Sequence, residues 1–189
     1  VVRAAQEGDV ECRDFLEELE ELRFGAGDMT CRQIIWHIYE KTNLLGLFGA
    51  MPGGQERQDN LLSLYALAGE LEEVLGFVRR YIRFDVLDEP VGAIELCGYT
   101  PEQLREYSHY PEKHFGQPHF LACYTDGPAL LAVNKLRTVV RQTELAAYAA
   151  FRDADGNVTR GDMILGLNRL SSLMWIFMIK LKAGRYERK

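Results

Sequence analysis

The sequence has little of what would take it outside ordinary globular proteins. Six prolines and seventeen glycines in 189 residues are too few for a collagenous or low-complexity chain, and 47% hydrophobic with 26% charged residues excludes disorder. Four cysteines, Cys12, Cys31, Cys97 and Cys123, lie too far apart for a Cys-x-x-Cys half-site and are too few for a disulfide framework, which fits a reduced, cytoplasmic protein. The most apolar run, Leu173 to Ile179, has seven residues where a membrane span needs about 20, so no transmembrane segment is expected. Positive charge is also short. Twenty-two bases against 28 acids leave a formal charge of -6, which repels a phosphate backbone unless bases are gathered locally, and this disfavours nucleic-acid binding. No basic n-region precedes an apolar stretch and the first residue is Val, so the chain is expected to begin inside a longer reading frame.

What is present is helical periodicity almost throughout, and an all-α fold follows from it. Residues 11 to 23 put Phe15, Leu16, Leu19 and Leu22 on one face and acids on the other. Thr30 with Gln33 has the capping-box spacing and opens a helix that should stop near Thr42. The loop GLFGAMPGGQ, 46 to 55, lacks the Gly-Lys-Ser/Thr of a phosphate-binding P-loop. From Glu56 to about Arg83, Leu61, Leu64, Ala68, Leu71, Leu75, Val78 and Ile82 form a 3-4 seam suited to bundle packing, with Gly69 and Gly76 as points of weakness. Thr100, Pro101 and Gln103 predict a short helix to about Tyr107.

Residues 108 to 127 have no regular period, and a long irregular segment in a compact domain is often functional. His109, His114 and His119 fall there, five apart; without cysteine or acid partners that spacing reads as structural or exposed histidines and assigns no metal site. Two long helices follow, Pro128 to about Phe151 and Asp162 to about Ala183. The DADGN turn between them departs from a calcium loop, with Gly156 fourth from Asp153 and Ile164 where a glutamate is required.

Along the first of these helices Asn134, Arg137, Arg141, Glu144 and Tyr148 make a polar stripe, while Leu130, Leu131, Val133, Leu136, Val139 and Val140 leave little of the helix to water. The last helix is apolar in every direction but carries Asn168, Arg169, Ser171 and Ser172. Three guanidinium groups, from Arg137, Arg141 and Arg169, exceed what Glu144 can neutralise, so an anionic ligand would complete the set. The other reading of the same residues is a solvated stripe with an Arg141–Glu144 pair and a self-satisfied polar layer.

The strings VLDEPVG, GYTPEQLREYSHYPEKHFGQPH, VNKLRTVVRQTE and LNRLSSLMWIFM, within about Leu71 to Tyr186, resemble the ethanolamine-utilisation type of ATP:cob(I)alamin adenosyltransferase. The resemblance implies an antiparallel helical bundle and transfer of the adenosyl group from ATP to cob(I)alamin, forming adenosylcobalamin and releasing triphosphate. By the family's Arg-x-x-x-Arg-x-x-Glu set and Asn-Arg pair it implies ATP binding by Arg137, Arg141, Glu144, Asn168 and Arg169, with Arg141 and Arg169 catalytic. Phe115, Phe120 and Trp175 are candidates for an apolar corrinoid wall. ATP would come with a divalent cation such as Mg, cobalamin would be a substrate, and the protein would be a cytoplasmic homo-oligomer. Family members have, before the long helix, a His and Cys metal cluster and a further bundle helix; neither is visible in this sequence.

Residues 1 to about 70, through MTCRQIIWHIYEKTNLLGLFGAMPGGQERQDNLLSLYALAGELE, instead resemble the AddA family of AddAB helicase/nucleases. This stretch has no Walker motif and no iron-sulfur cysteines, so the resemblance implies at most an accessory helical piece of an ATP-dependent DNA helicase/nuclease. The expected organisation is a helical segment over 1–70 and an adenosyltransferase-like bundle over 71–189, joined near 68 to 80 inside the long helix.

Overall fold

The computed structural model describes residues 1–184; the end of the expected bundle, from Arg185 through Tyr186 to Lys189, lies outside the described residues. The described residues form α-helices with no extended strand, only two isolated bridges, Leu96 with Tyr99 and Arg152 with Val158. The helices are α1 (Val2–Gln6), α2 (Val10–Gly25), α3 (Cys31–Thr42), α4 (Leu44–Gly49), α5 (Gly54–Val86), α6 (Pro101–His109), α7 (Pro111–Phe115), α8 (Gly127–Ala150) and α9 (Gly161–Lys182). They fall into two compact units, Val1–Glu72 and the chain from Glu73 onward, and α5 contributes to both.

In the first unit the Thr30 capping box forms as the sequence predicts, with Gln33 and Thr30 exchanging hydrogen bonds at 3.3 and 2.8 Å. α3 ends at Asn43, which takes the left-handed conformation and turns the chain directly into α4. So the first glycines of the expected loop are helical, and the break comes only at 50–53. Tyr39 donates to the Leu61 carbonyl at 2.8 Å, and Trp36 and Arg32 both lie against the Tyr65 ring. Tyr39 and Ala68 are the buried apolar side chains of this unit. On α2 the expected apolar face is only partly covered: Leu16, Leu19 and Leu22 are half-buried and Phe15 is exposed.

The second unit is built around α9. Leu173, Met174, Ile176, Phe177 and Ile179 have no accessible surface, as the all-round apolar pattern predicts. α9 is long and apolar enough, by length and composition, to cross a membrane, yet most of that stretch is enclosed by its neighbours. α8 lies antiparallel to it, since Asp126 meets Lys182, Arg137 meets Trp175 and Glu144 meets Asn168 in reverse order. The later part of α5 is antiparallel to α9 as well: Tyr81 donates to the Met163 carbonyl at 2.9 Å, and Arg160 donates to the Phe84 carbonyl at 3.2 Å. α6 and α7 pack on a further side of α9. The Thr100 capping box and Pro101 start α6 as predicted.

Two expectations from the sequence are corrected. α5 is one helix past Gly69 and Gly76, and its buried face carries Val74, Phe77 and Tyr81; of the expected seam only Ala68 is buried, while Leu64, Leu75, Val78 and Ile82 are exposed. On α8, Leu130, Val133 and Val140 are buried but Leu136 and Val139 are open to water. The irregular stretch after Ser108 contains α7 and a 3-10 turn at Tyr124–Asp126, leaving 116–123 without regular structure.

Arg160 fastens the α5 end to the α9 start. It donates to Asp162 at 3.2 Å and to the Glu89 carbonyl at 2.8 Å, and Asp162 accepts from the Val91 amide at 3.0 Å. Burial alone would raise the Asp162 carboxyl, but the hydrogen bonds from Arg160 and from the Val91 and Met163 amides outweigh it and hold the group below its ordinary value.

The tightest crossing is at Gly166. A Cβ there would overlap the Tyr81 hydroxyl oxygen and come 3.4 Å from the Phe77 ring, so glycine sets how closely α5 approaches α9. Gly166→Ala must push the Tyr81 ring off its carbonyl partner. The expected loss is about 1–3 kcal/mol in urea unfolding despite the better helix propensity of alanine. An unchanged or raised midpoint would show that the crossing is loosely packed.

Candidate functional site

α8 and α9 meet along a polar seam inside an otherwise apolar contact. Arg141 donates from Nη1 to Glu144 Oε2 at 2.6 Å, and Asn168 donates from Nδ2 to Glu144 Oε1 at 3.0 Å. Arg169 Nη1 in turn donates to Asn168 Oδ1 at 2.8 Å. The local causes are simple: Arg141 and Glu144 are three apart on one helical face, and adjacent Asn168 and Arg169 reach to different sides of α9. Glu144 is 8% exposed, so its two oxygens are committed to these donors rather than to water.

Beside this seam lies an open cleft of about 760 Å³. Arg137, Arg141 and Asn168 line it, with Ser171, Ser172 and Trp175 from α9, and none of its lining residues is acidic. Arg137 sits over the Trp175 ring at 5.1 Å. Its Nε is buried without a hydrogen-bond partner among the described residues. Burial lowers its pKa from the ordinary value, and the like charge of Arg141 lowers it further. The Arg169 guanidinium is likewise lowered, first by burial and then by the neighbouring Arg105, and its Nε is also buried and unpartnered.

The sequence-predicted set therefore divides. Arg137, Arg141 and Asn168 share the cleft; Glu144 braces Arg141 and Asn168 from beneath; Arg169 does not line the cleft and reaches it only through Asn168. Arg141, Glu144, Asn168 and Arg169 form one hydrogen-bonded chain, in which the Arg169 Nε stays unpartnered among the described residues, and Arg137 stands outside it. Of the aromatic candidates, Phe120 and Trp175 line the cleft with rings 4.9 Å apart, whereas Phe115 packs against Tyr107 elsewhere.

Sequence reasoning gives His109 and His119 no place in the site. His119 stacks nearly parallel on Trp175, 5.8 Å between ring centres, and donates from Nε2 to the His109 carbonyl at 3.1 Å. Both line the cleft, and the segment that carries His119 there has no periodicity and so gives no local signal. His114 instead packs on Tyr107 and bonds Glu106 at 3.0 Å. Among the described residues no group of three His, Cys, Asp or Glu side chains is arranged to hold a metal.

The bracing role of Glu144 separates its removal from that of Arg141. Glu144→Ala strands the Asn168 amide, and a loss of about 1–3 kcal/mol is expected. Arg141→Ala removes a half-exposed partner and should cost under about 1 kcal/mol. Denaturation of the two variants side by side checks this order, and equal losses would contradict it.

Comparison with known proteins bears on this same region. Residues 101–181 match the family model described as cobalamin adenosyltransferase. The corrinoid adenosyltransferase EutT of Escherichia coli (strain K12) is 33% identical over 109 residues, covering 58% of this chain and 41% of that protein. EutT of Salmonella typhimurium (strain LT2) is 35% identical over 98 residues, 52% of this chain and 37% of its own length. A large ATP-dependent helicase/nuclease polypeptide of Lactobacillus gasseri is 44% identical over 70 residues, 37% of this chain but 6% of that protein. No solved structure matches the chain. The chain thus spans about two-fifths of the length of its adenosyltransferase relatives, and the segment that builds the cleft resembles the corrinoid adenosyltransferases.

Proposed function

We propose that the second unit binds ATP in the α8–α9 cleft and transfers its adenosyl group to cob(I)alamin, releasing triphosphate. The observation that carries this reading is a cleft with two guanidinium groups, no acidic lining residue, and Arg137 without a carboxylate partner among the described residues. A polyphosphate supplies the missing negative charge, and arginine forks suit its oxygens.

In this reaction the cobalt electron pair forms the bond to C5′ and the C5′–O bond breaks, leaving the pair on the departing triphosphate. No proton moves at the nucleophile, so the protein needs no general base. What this chain supplies is charge stabilisation and alignment. Arg137 and Arg141 meet the charge that grows on the leaving oxygens. Glu144 fixes the Arg141 fork and the Asn168 amide, and Arg169 holds Asn168 from the other side of α9. Phe120, Trp175 and His119 form an aromatic wall that keeps water from the reacting centre. A divalent cation such as Mg would be carried on the nucleotide's phosphates and would supply further charge neutralisation there.

The same reading has the chain working in the cytoplasm and associating with copies of itself, with Leu75, Val78 and Ile82 on α5 supplying exposed apolar surface. Residues 1–70 are read as an accessory helical piece akin to part of a helicase/nuclease, the closeness of that short match being its support.

The test is anaerobic: reduced cobalamin and ATP are mixed with the full chain and the corrinoid spectrum is followed for a cobalt–carbon bond. Arg137→Ala and Arg141→Ala are expected to lower kcat/KM by about a hundredfold or more with the helical circular dichroism unchanged. Parental activity in Arg137→Ala would overturn the site assignment.

A further inference from the structure

Ser171 is a polar group on the cleft wall to which the proposed reaction gives no task. Its side chain lines the cleft, the residue is only 8% exposed, and it makes no hydrogen bond among the described residues. Its neighbours are satisfied. Ser172 donates to the Asn168 carbonyl at 3.2 Å, Thr138 to the Asn134 carbonyl at 3.0 Å, and Ser108 to the Arg105 carbonyl at 3.0 Å. A helical serine ordinarily turns back to the carbonyl four residues earlier, as Ser172 does, and Ser171 forgoes that bond. A hydroxyl on a nine-tenths buried residue, with no hydrogen-bond partner among the described residues and an opening to a cleft, is placed to meet a ligand atom.

Its position says which atom. Ser171 lies between the two places where the α8 arginines meet α9. Three residues before it is Asn168, tied through Glu144 to Arg141; four residues after it is Trp175, whose ring carries the Arg137 guanidinium. Those spacings put all three on one helical face. An anion that spans Arg137 and Arg141 therefore passes over the Ser171 hydroxyl.

We infer that Ser171 donates a hydrogen bond to a polyphosphate oxygen held between Arg137 and Arg141, and so fixes the register of the phosphate chain in the cleft. The inference rests on the ATP reading given above. The hydroxyl adds a third, directed contact to the field of the two guanidinium groups, and a neutral donor placed between two cations does this without adding like charge.

The test is binding of inorganic triphosphate and of adenosine, as separate probes, to the full chain and to Ser171→Ala, Ser171→Thr and Arg137→Ala. Ser171→Ala should weaken triphosphate binding about tenfold. It should leave adenosine binding and the melting temperature unchanged, and Ser171→Thr, which keeps the hydroxyl, should recover most of the triphosphate affinity. If Ser171→Ala binds triphosphate as tightly as the parent while Arg137→Ala loses it, the Ser171 assignment falls and the ATP reading stands. Should Ser171→Ala lose adenosine and keep triphosphate, the hydroxyl serves the nucleoside and the assignment is overturned. If the parent binds neither probe, the ATP reading fails and the Ser171 assignment fails with it.

Discussion

The burial of α9, complete from Leu173 to Ile179 and partial before it, is the constraint on which the second unit depends. A helix so largely enclosed must satisfy the polar side chains it buries, either from its neighbours or from a cavity. α9 does both. Asn168 and Arg169 are tied into the Glu144 layer, Ser172 turns back to its own backbone, and Ser171 is left facing the cleft. The apolar remainder, from Leu170 to Ile179, then has one way to pack, with α8 and the end of α5 both running antiparallel to it. The Asp126–Lys182 pair at one end and the Arg160–Asp162 cluster at the other fix the register of that packing.

Much of this is legible in the sequence, and the failures have a common cause. α9 is readable because a helix apolar all round has only one environment. The two capping boxes are readable because their chemistry is complete within four residues. α5 misleads because it carries two interleaved 3-4 seams. Leu75, Val78 and Ile82 compete with Val74, Phe77 and Tyr81, and period alone does not say which faces a partner. The aromatic seam wins because its rings bury more area and because Gly166, eighty-five residues beyond Tyr81, opens the recess that receives them. That recess is information the local pattern of α5 does not contain.

The cleft divides in the same way. Arg137, Arg141 and Asn168 stand out because charged and amide groups among apolar ones demand an explanation wherever they fall. Adjacency to Asn168 groups Arg169 with them, but consecutive residues on a helix point about 100° apart, and the Arg169 fork lies on the Arg105 side. His109 and His119 escape the sequence because a segment of no fixed period brings the second of them in, and only the fold shows that His119 lies flat against Trp175.

The arginines differ in what they contribute, and the difference follows from Glu144. Arg141 carries its own neutralising carboxylate at 2.6 Å, so its net field in the cleft is small and its value lies in direction. Arg137 has an aromatic ring where a carboxylate would be, and its burial, with the like charge of Arg141, sets a cost on its charged form. A ligand that brings negative charge removes that cost, while a neutral one of the same shape leaves it in place. Under the ATP reading an anionic ligand would relieve that cost at Arg137, the one arginine of the α8 pair that the polar layer leaves out.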